Sequence, residues 1–217
     1  MKVFVIGAHG HVGQILVNKL VSNGDEVVAG LRTKDEFAPY KKMEHVQPAL
    51  FDLKEDKSKM MQTFKDSDAD AIIFSAGSGG KTDDAQTVYI DLDGAIKSMD
   101  AAKIANVNRY VMVSAIGSDD RSFWNQMSQL MHVYYIAKHY ADVYLKDSGL
   151  DYTIIRPTIL TNDKGTEKIE LNPTNVGKAK IPREDVANVL VNVLHDDHTI
   201  CRDYNISGGD TKISDLF

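Results

Sequence analysis

Two hydrophobic periods alternate along the chain. Residues 2–6 form a short run of β-branched and aromatic side chains, after which Val12, Ile15, Leu16 and Leu20 recur at helical spacing. Asn23-Gly24-Asp25 marks a turn, and residues 26–30 read as a second strand. Residues 46–51 read as a weaker third strand, demoted by Pro48, which has no N–H to give a ladder. A helix is predicted over 55–65, a fourth strand over 71–75 ending in a glycine-rich loop, and a long helix over 86–105. A strand over 109–114, a loop carrying Phe123 and Trp124, and a helix over 126–148 stopped by Gly149 follow. The strand over 151–155 leads to Pro157. This alternation predicts βαβ units and so an α/β fold, a doubly wound parallel sheet with helices on both faces.

The rhythm breaks over 158–182, which contains Gly165, Pro173, Gly177 and Pro182 and is too long for a plain connector; residues 156–182 are the expected substrate or lid segment. A helix over 183–195, in which Arg183 and Asp185 are expected to pair locally as a cap, and a late strand over 200–206 close the pattern. No repeat or linker divides the chain, so a single domain over 1–217 is expected.

Composition narrows the class. Of 217 residues, 43% are hydrophobic and 26% charged, which excludes wholesale disorder. No apolar run approaches the ~20 residues of a membrane-spanning helix, and the opening run is too short for a secretory core. Cys201 is the only cysteine, which excludes an intrachain disulfide and a cysteine metal cluster. A net charge of −6 without a basic stretch argues against nucleic acid as partner. The expectation is a cytoplasmic protein, monomer or homodimer, that acts on a small molecule and touches neither membrane nor nucleic acid.

Directly after the first strand stands Gly7-Ala8-His9-Gly10-His11-Val12-Gly13. The spacing G-x-x-G-x-x-G is one residue longer than the dinucleotide fingerprint but obeys the same physics. Gly7 permits the tight turn, Gly10 lets the backbone approach a diphosphate, and Gly13 lets helix and strand pack closely. Free N–H groups at the helix start, backed by the helix dipole, then hold the phosphate charge. His9 and His11 have no third ligand at a suitable spacing, and a metal there would compete with the anion, so no metal site is assigned.

With this loop, the segments Tyr-Tyr-Ile-Ala-Lys from Tyr134, Ser-Gly-Leu-Asp-Tyr-Thr-Ile-Ile-Arg-Pro up to Pro157, and Ile-Pro-Arg-Glu-Asp-Val-Ala from Ile181 resemble the atypical short-chain dehydrogenase/reductase family, in its small NAD(P)H-binding, NmrA-like branch. The resemblance runs along nearly the whole chain. It implies a Rossmann-like sheet with a nicotinamide dinucleotide across the carboxyl ends of the strands. It further implies that Asp52 and Leu53 frame the adenine and that Ser75, Ala76 and Gly77 lie along the cofactor; where the sixth strand ends, Pro157 to Leu160 are expected to cover the nicotinamide. The second strand ends without the carboxylate that would accept from a ribose 2′-OH; Arg32 and Lys34 follow instead, which favours NADP, with NAD the alternative.

The resemblance also implies acid–base work for Tyr134 and Lys138, which share a helix face. A nearby ammonium and a cationic nicotinamide favour the phenolate, lowering a pKa that is ordinarily near ~10. Lys138 would also bond the nicotinamide ribose. The partner serine falls on Ser114 or, in the other alignment, its place is taken by Ala115, which lacks the hydroxyl. Phe123, Trp124, Met127, Met131 and residues 158–164 would form a flat, apolar substrate side. Ser75 to Thr82 nearly spells an NTPase phosphate loop, but Ser75 replaces its first glycine and Asp83-Asp84 would repel a triphosphate. The sequence therefore points to an NADPH-dependent oxidoreductase reducing a small carbonyl, quinone or flavin, with a non-catalytic NADP(H) sensor as the alternative.

Overall fold

A computed structural model describes residues 1–79, 83–174 and 176–217, with every side chain among them except that of Leu130. Lys81 and Thr82, which would complete the NTPase-like motif, lie outside the described residues.

The first strand, β1 (Lys2–Ile6), leads through the glycine turn into α1 (His11–Ser22), and β2 (Glu26–Leu31) returns beside it. A capping turn at Thr33 and the short α2 (Phe37–Tyr40), neither foreseen in the sequence, precede β3 (Val46–Leu50). Then come α3 (Lys57–Ser67), β4 (Ala71–Phe74), α4 (Asp84–Thr87), a π-helical stretch Val88–Gly94, α5 (Ala95–Ala105) and β5 (Arg109–Val113). The expected loop at Phe123 and Trp124 is instead a short helix, α6 (Arg121–Trp124), N-capped by Asp120, and it delays the start of α7 (Gln129–Asp147) to residue 129. After β6 (Asp151–Pro157), the 158–182 segment contributes β7 (Ile159–Thr161), β8 (Lys168–Leu171) and β9 (Lys180–Pro182). The chain ends with α8 (Arg183–His195), β10 (Arg202–Gly208) and β11 (Thr211–Lys212).

Among the described residues, nine strands make one sheet in the order β11-β8-β10-β6-β5-β4-β1-β2-β3, while β7 and β9 pair separately. From β3 to β10 the pairs are parallel; β8 and β11 add an antiparallel edge. Pro48 sits in β3, the edge strand, where its missing N–H interrupts no further ladder.

The central strands β1 and β4 are almost wholly apolar because both their faces are covered. In β1, Val3 and Val5 enter the core shared with Leu16 and Leu20 of α1 and Val186 and Leu190 of α8. Phe4 and Ile6 enter the opposite core, with Phe64 of α3, Met99 of α5 and Leu145 of α7. The chain leaves β1 toward β2 on one side and later returns to β4 on the other. The carboxyl ends of β1 and β4 therefore flank the point where strand order reverses, which is where open α/β sheets form their ligand crevice.

Candidate functional site

At that crevice the turn after β1 is compressed to the limit glycine allows. Gly7 has φ +80°, and a Cβ there would stand 2.8 Å from the backbone of Ala76, in the turn after β4. A Cβ on Gly13 would lie 2.2 Å from the Gly7 carbonyl oxygen. The turn is braced from below: the Tyr40 hydroxyl, which is buried, donates to the Ala8 carbonyl (2.8 Å), and the Ala8 N–H donates to the Gly30 carbonyl (3.3 Å). The Gln14 side-chain amide donates to the His9 carbonyl (2.7 Å), and the Gly10 N–H to the Gly7 carbonyl (2.9 Å). The turn's carbonyls are thus occupied, while among the described residues no protein acceptor takes the N–H groups of His11, Val12 and Gly13. Gly10 caps α1 without a side chain, and no acidic residue stands in the first turn. The result is a positive helix end with its donors unspent. His9 and His11 are exposed, and among the described residues no cluster of three or more potential metal ligands forms.

Beyond β2, Arg32 is exposed, makes no ion pair among the described residues, and lines a small cleft with Asp52, Phe51 and Lys59. The Glu36 carboxylate accepts from the N–H groups of Arg32 (2.9 Å) and Thr33, so an acid stands near the strand tip after all, spent on backbone donors. Asp52 accepts from the N–H of Lys54 (3.0 Å), and Leu53 packs beneath Gly94. Past β4, the Ser75 hydroxyl donates to the Ile6 carbonyl (3.0 Å), which ties the second turn to the first.

The other half of the site is ionic. Lys138 on α7 is buried and pairs with Asp91 at 3.0 Å, and Asp91 also accepts from the N–H of Ser78 (2.9 Å). Asp91 lies in the π-helical stretch, which sets it against α7 and the turn after β4. Burial disfavours the charge on Lys138, but the field of Asp91, then of Tyr134, outweighs it and holds the ammonium above its ordinary pKa. The Lys138 ammonium lies 5.8 Å from the Tyr134 ring centroid. Burial pushes the Tyr134 phenol up, and Asp91 and Asp142 oppose the lowering effect of Lys138. In the protein alone burial of the phenol therefore outweighs the lowering field of Lys138, which Asp91 and Asp142 further offset. The Tyr134 hydroxyl has no hydrogen-bond partner among the described residues.

The serine alternatives separate. The Ser114 hydroxyl donates to Ser118 (3.4 Å), and Ser118 donates to Asp142 (2.8 Å). Arg156 Nε donates to both Ser118 (3.0 Å) and Asp142 (2.8 Å), while its Nη1 pairs with Asp203 and Asp119. Burial disfavours the Arg156 charge, yet Asp142 and the other carboxylates raise its pKa. Ala115, by contrast, packs in the cluster of Trp124, Tyr135, Phe123, Met127 and Tyr134. Pro157 ends β6 beside this network and accepts from the Ile116 N–H (3.1 Å).

Arg183 and Asp185 do not pair with each other. Arg183 donates to Asn162 (2.8 Å), and the fully buried Asp185 accepts from the N–H groups of Thr166 and Glu167, pinning the 158–182 segment to α8. Sequence reasoning also missed Asp91, Ser118, Asp142 and Tyr40. Asp91 and Asp142 are acids within helical stretches otherwise rich in apolar residues, a signal that marks burial but names no partner.

A family model described as NAD(P)H-binding matches residues 7–197. The chain is 39% identical over 215 residues to the uncharacterized sugar epimerase YhfK of Bacillus subtilis (strain 168), covering 99% of this chain and 98% of that protein. A solved structure from Bacillus halodurans, whose name carries only a provisional assignment as an NAD-dependent epimerase/dehydratase, superposes with a TM-score of 0.89 at 35% identity, covering 100% of this chain and 98% of that one. The oxidoreductase ylbE from Lactococcus lactis follows with a TM-score of 0.88 at 33% identity, covering 99% and 94%.

Proposed function

Because the chain belongs to the NAD(P)H-binding family, within the atypical short-chain dehydrogenase/reductases, we propose that it is an NADPH-dependent oxidoreductase delivering hydride to a small carbonyl, quinone or flavin. The observation that carries the reading is the uncapped start of α1, with its three unspent N–H groups at the β1–β4 crevice. Backbone of Gly7, His9, Gly10, His11, Val12 and Gly13 would hold the diphosphate. Arg32 would meet the 2′-phosphate, Asp52 and Leu53 the adenine, and Ser75, Ala76 and Gly77 the middle of the cofactor. Ser114, Lys138 and Pro157 would border the nicotinamide end. The bound nicotinamide supplies the hydride.

The chain's own part is proton transfer. The Tyr134 phenol would be the proton donor; its burial opposes ionisation, so the transfer depends on the Lys138 ammonium favouring the phenolate. The phenol O–H bond breaks as an O–H bond forms on the carbonyl or quinone oxygen, or an N–H bond on a flavin ring nitrogen, and the Lys138 ammonium stabilises the phenolate left behind. Lys138 must share its charge between Asp91 and the ribose while it does so.

The sensor reading has one observation in its favour: Ser114 is turned toward Ser118, and Ala115 is the residue packed with Tyr134. An epimerase, as the name of one relative has it, would return its nicotinamide unchanged. The test is a titration followed by turnover. NADPH should bind more tightly than NADH, Arg32→Ala should erase the difference, and NADPH absorbance should fall with quinones, flavins or aldehydes. Equal affinity for the two nucleotides removes the NADP preference; tight binding with flat absorbance leaves the sensor.

A further inference from the structure

Across α7 from Lys138 lies a second concavity. His132, Ile136 and Tyr140 follow one another at four-residue spacing, two residues out of step with Tyr134 and Lys138, and so sit about 200° away around the helix. With Arg121, Trp124 and Asn125 from α6 and the turn behind it, they line a cleft of about 300 Å³. That is the lower end of the range for small-molecule sites.

The lining is built. Trp124 is buried, its indole N–H donates to the Gly117 carbonyl (2.7 Å), and a Cβ on Gly117 would overlap the Phe123 ring. The ring is also held edge-on by His139, whose Nδ1 faces the Ser118 carbonyl (2.8 Å). On this fixed wall rests the Arg121 guanidinium, 5.3 Å from the Trp124 ring and 6.0 Å from that of Tyr140, and it donates to the Tyr140 hydroxyl (3.3 Å). Among the described residues Arg121 has no carboxylate partner. The nearby acids are engaged elsewhere: Asp120 caps α6 and Asp119 pairs with Arg156. His132 Nε2 is buried without a partner. The cleft therefore combines aromatic and aliphatic walls with an uncompensated planar cation, and no carboxylate stands in its lining.

We propose that this cleft is a second binding site, distinct from the nucleotide crevice, for a small planar carboxylate, its ring against Trp124 and its charge on Arg121. The site stands whether or not the chain turns over NADPH: its lining includes none of the residues proposed to hold the nucleotide or move the proton, and only Trp124 was also expected on the substrate side.

Trp124 is the only tryptophan, so its fluorescence reads the cleft directly. The probes are phenylacetate and its neutral isostere phenylacetamide, titrated into the full chain with and without saturating NADPH. Phenylacetate should change the emission saturably and bind about tenfold more tightly than the amide. Arg121→Gln should reduce that ratio to about twofold or less, and Arg121→Lys should retain part of it, with melting curves of both variants checked against the parent. NADPH should leave the phenylacetate constant unchanged. Equal binding of the two probes, an anion preference that survives in Arg121→Gln, or displacement by NADPH overturns the proposal. So does an emission change that follows protein concentration rather than probe, which would assign the face to a second copy of the chain.

Discussion

At the mouth of β1 the protein leaves polar groups unspent, whereas at the mouths of β5 and β6 it pairs the charges it buries with one another. The first region works through backbone. Glycines at 7 and 13 let two turns meet at van der Waals limits, and three N–H groups find no partner among the described residues. The second works through side chains from distant elements, with Arg156 gathering Asp142, Asp203 and Asp119, and Asp91 holding Lys138. The difference teaches that the first region keeps backbone donors free for an acceptor from outside the chain, while the second balances its buried charges within the chain. A site of the first kind is broken by adding atoms; one of the second kind is broken by removing them.

Four perturbations test that contrast, in falling order of effect. Asp142→Ala takes away the one buried carboxylate of the three that face the Arg156 guanidinium and should cost about 3 kcal/mol in urea unfolding, while adding Arg156→Met should recover part of the loss. Additive losses would mean that the two side chains act separately. Gly13→Ala places a methyl on the Gly7 carbonyl and should cost about 2 kcal/mol, with NADPH affinity down at least about tenfold; retained affinity would remove the turn from the nucleotide site. Tyr40→Phe withdraws the brace from Ala8 and should cost about 1 kcal/mol, with a smaller loss of NADPH affinity that calorimetry can resolve.

The smallest effect concerns pH. Burial of Asp203 is outweighed by hydrogen bonds from Lys146 and Arg156, so its folded-state pKa is lowered. Its contribution is therefore present above the ordinary carboxylate pKa and lost as pH falls through the lowered folded value, on the acid side of about pH 4. Asp203→Asn should flatten that acid limb by under about 1 kcal/mol, the size expected of a partly exposed pair, and leave stability near pH 9 changed by a constant amount. An unaltered acid limb would show that Asp203 is not part of the network's charge balance.

How much of this was legible in the sequence follows the same division. The parallel sheet could be read because both faces of its central strands are buried, so β1 and β4 appear as nearly unbroken apolar runs, and α1 announces itself by period alone. The glycine turn could be read because its conformation excludes other residues at the positions concerned. Helix α6 could not, since four residues held by one Asp120 cap leave no period to detect.

What the chain determined by itself was therefore local: the order of strands and helices, the turn that leaves α1 uncapped, and the spacing that puts Tyr134 and Lys138 on one face. Tertiary structure decided which acids those cations meet. Asp91 and Asp142 reach Lys138 and Arg156 only once the sheet has brought β4, β5, β6 and α7 together. Coulomb and desolvation energies depend on distance and burial in space, which residue order does not encode. The upward shift of Tyr134, where burial outweighs the field of Lys138, is the clearest product of that placement.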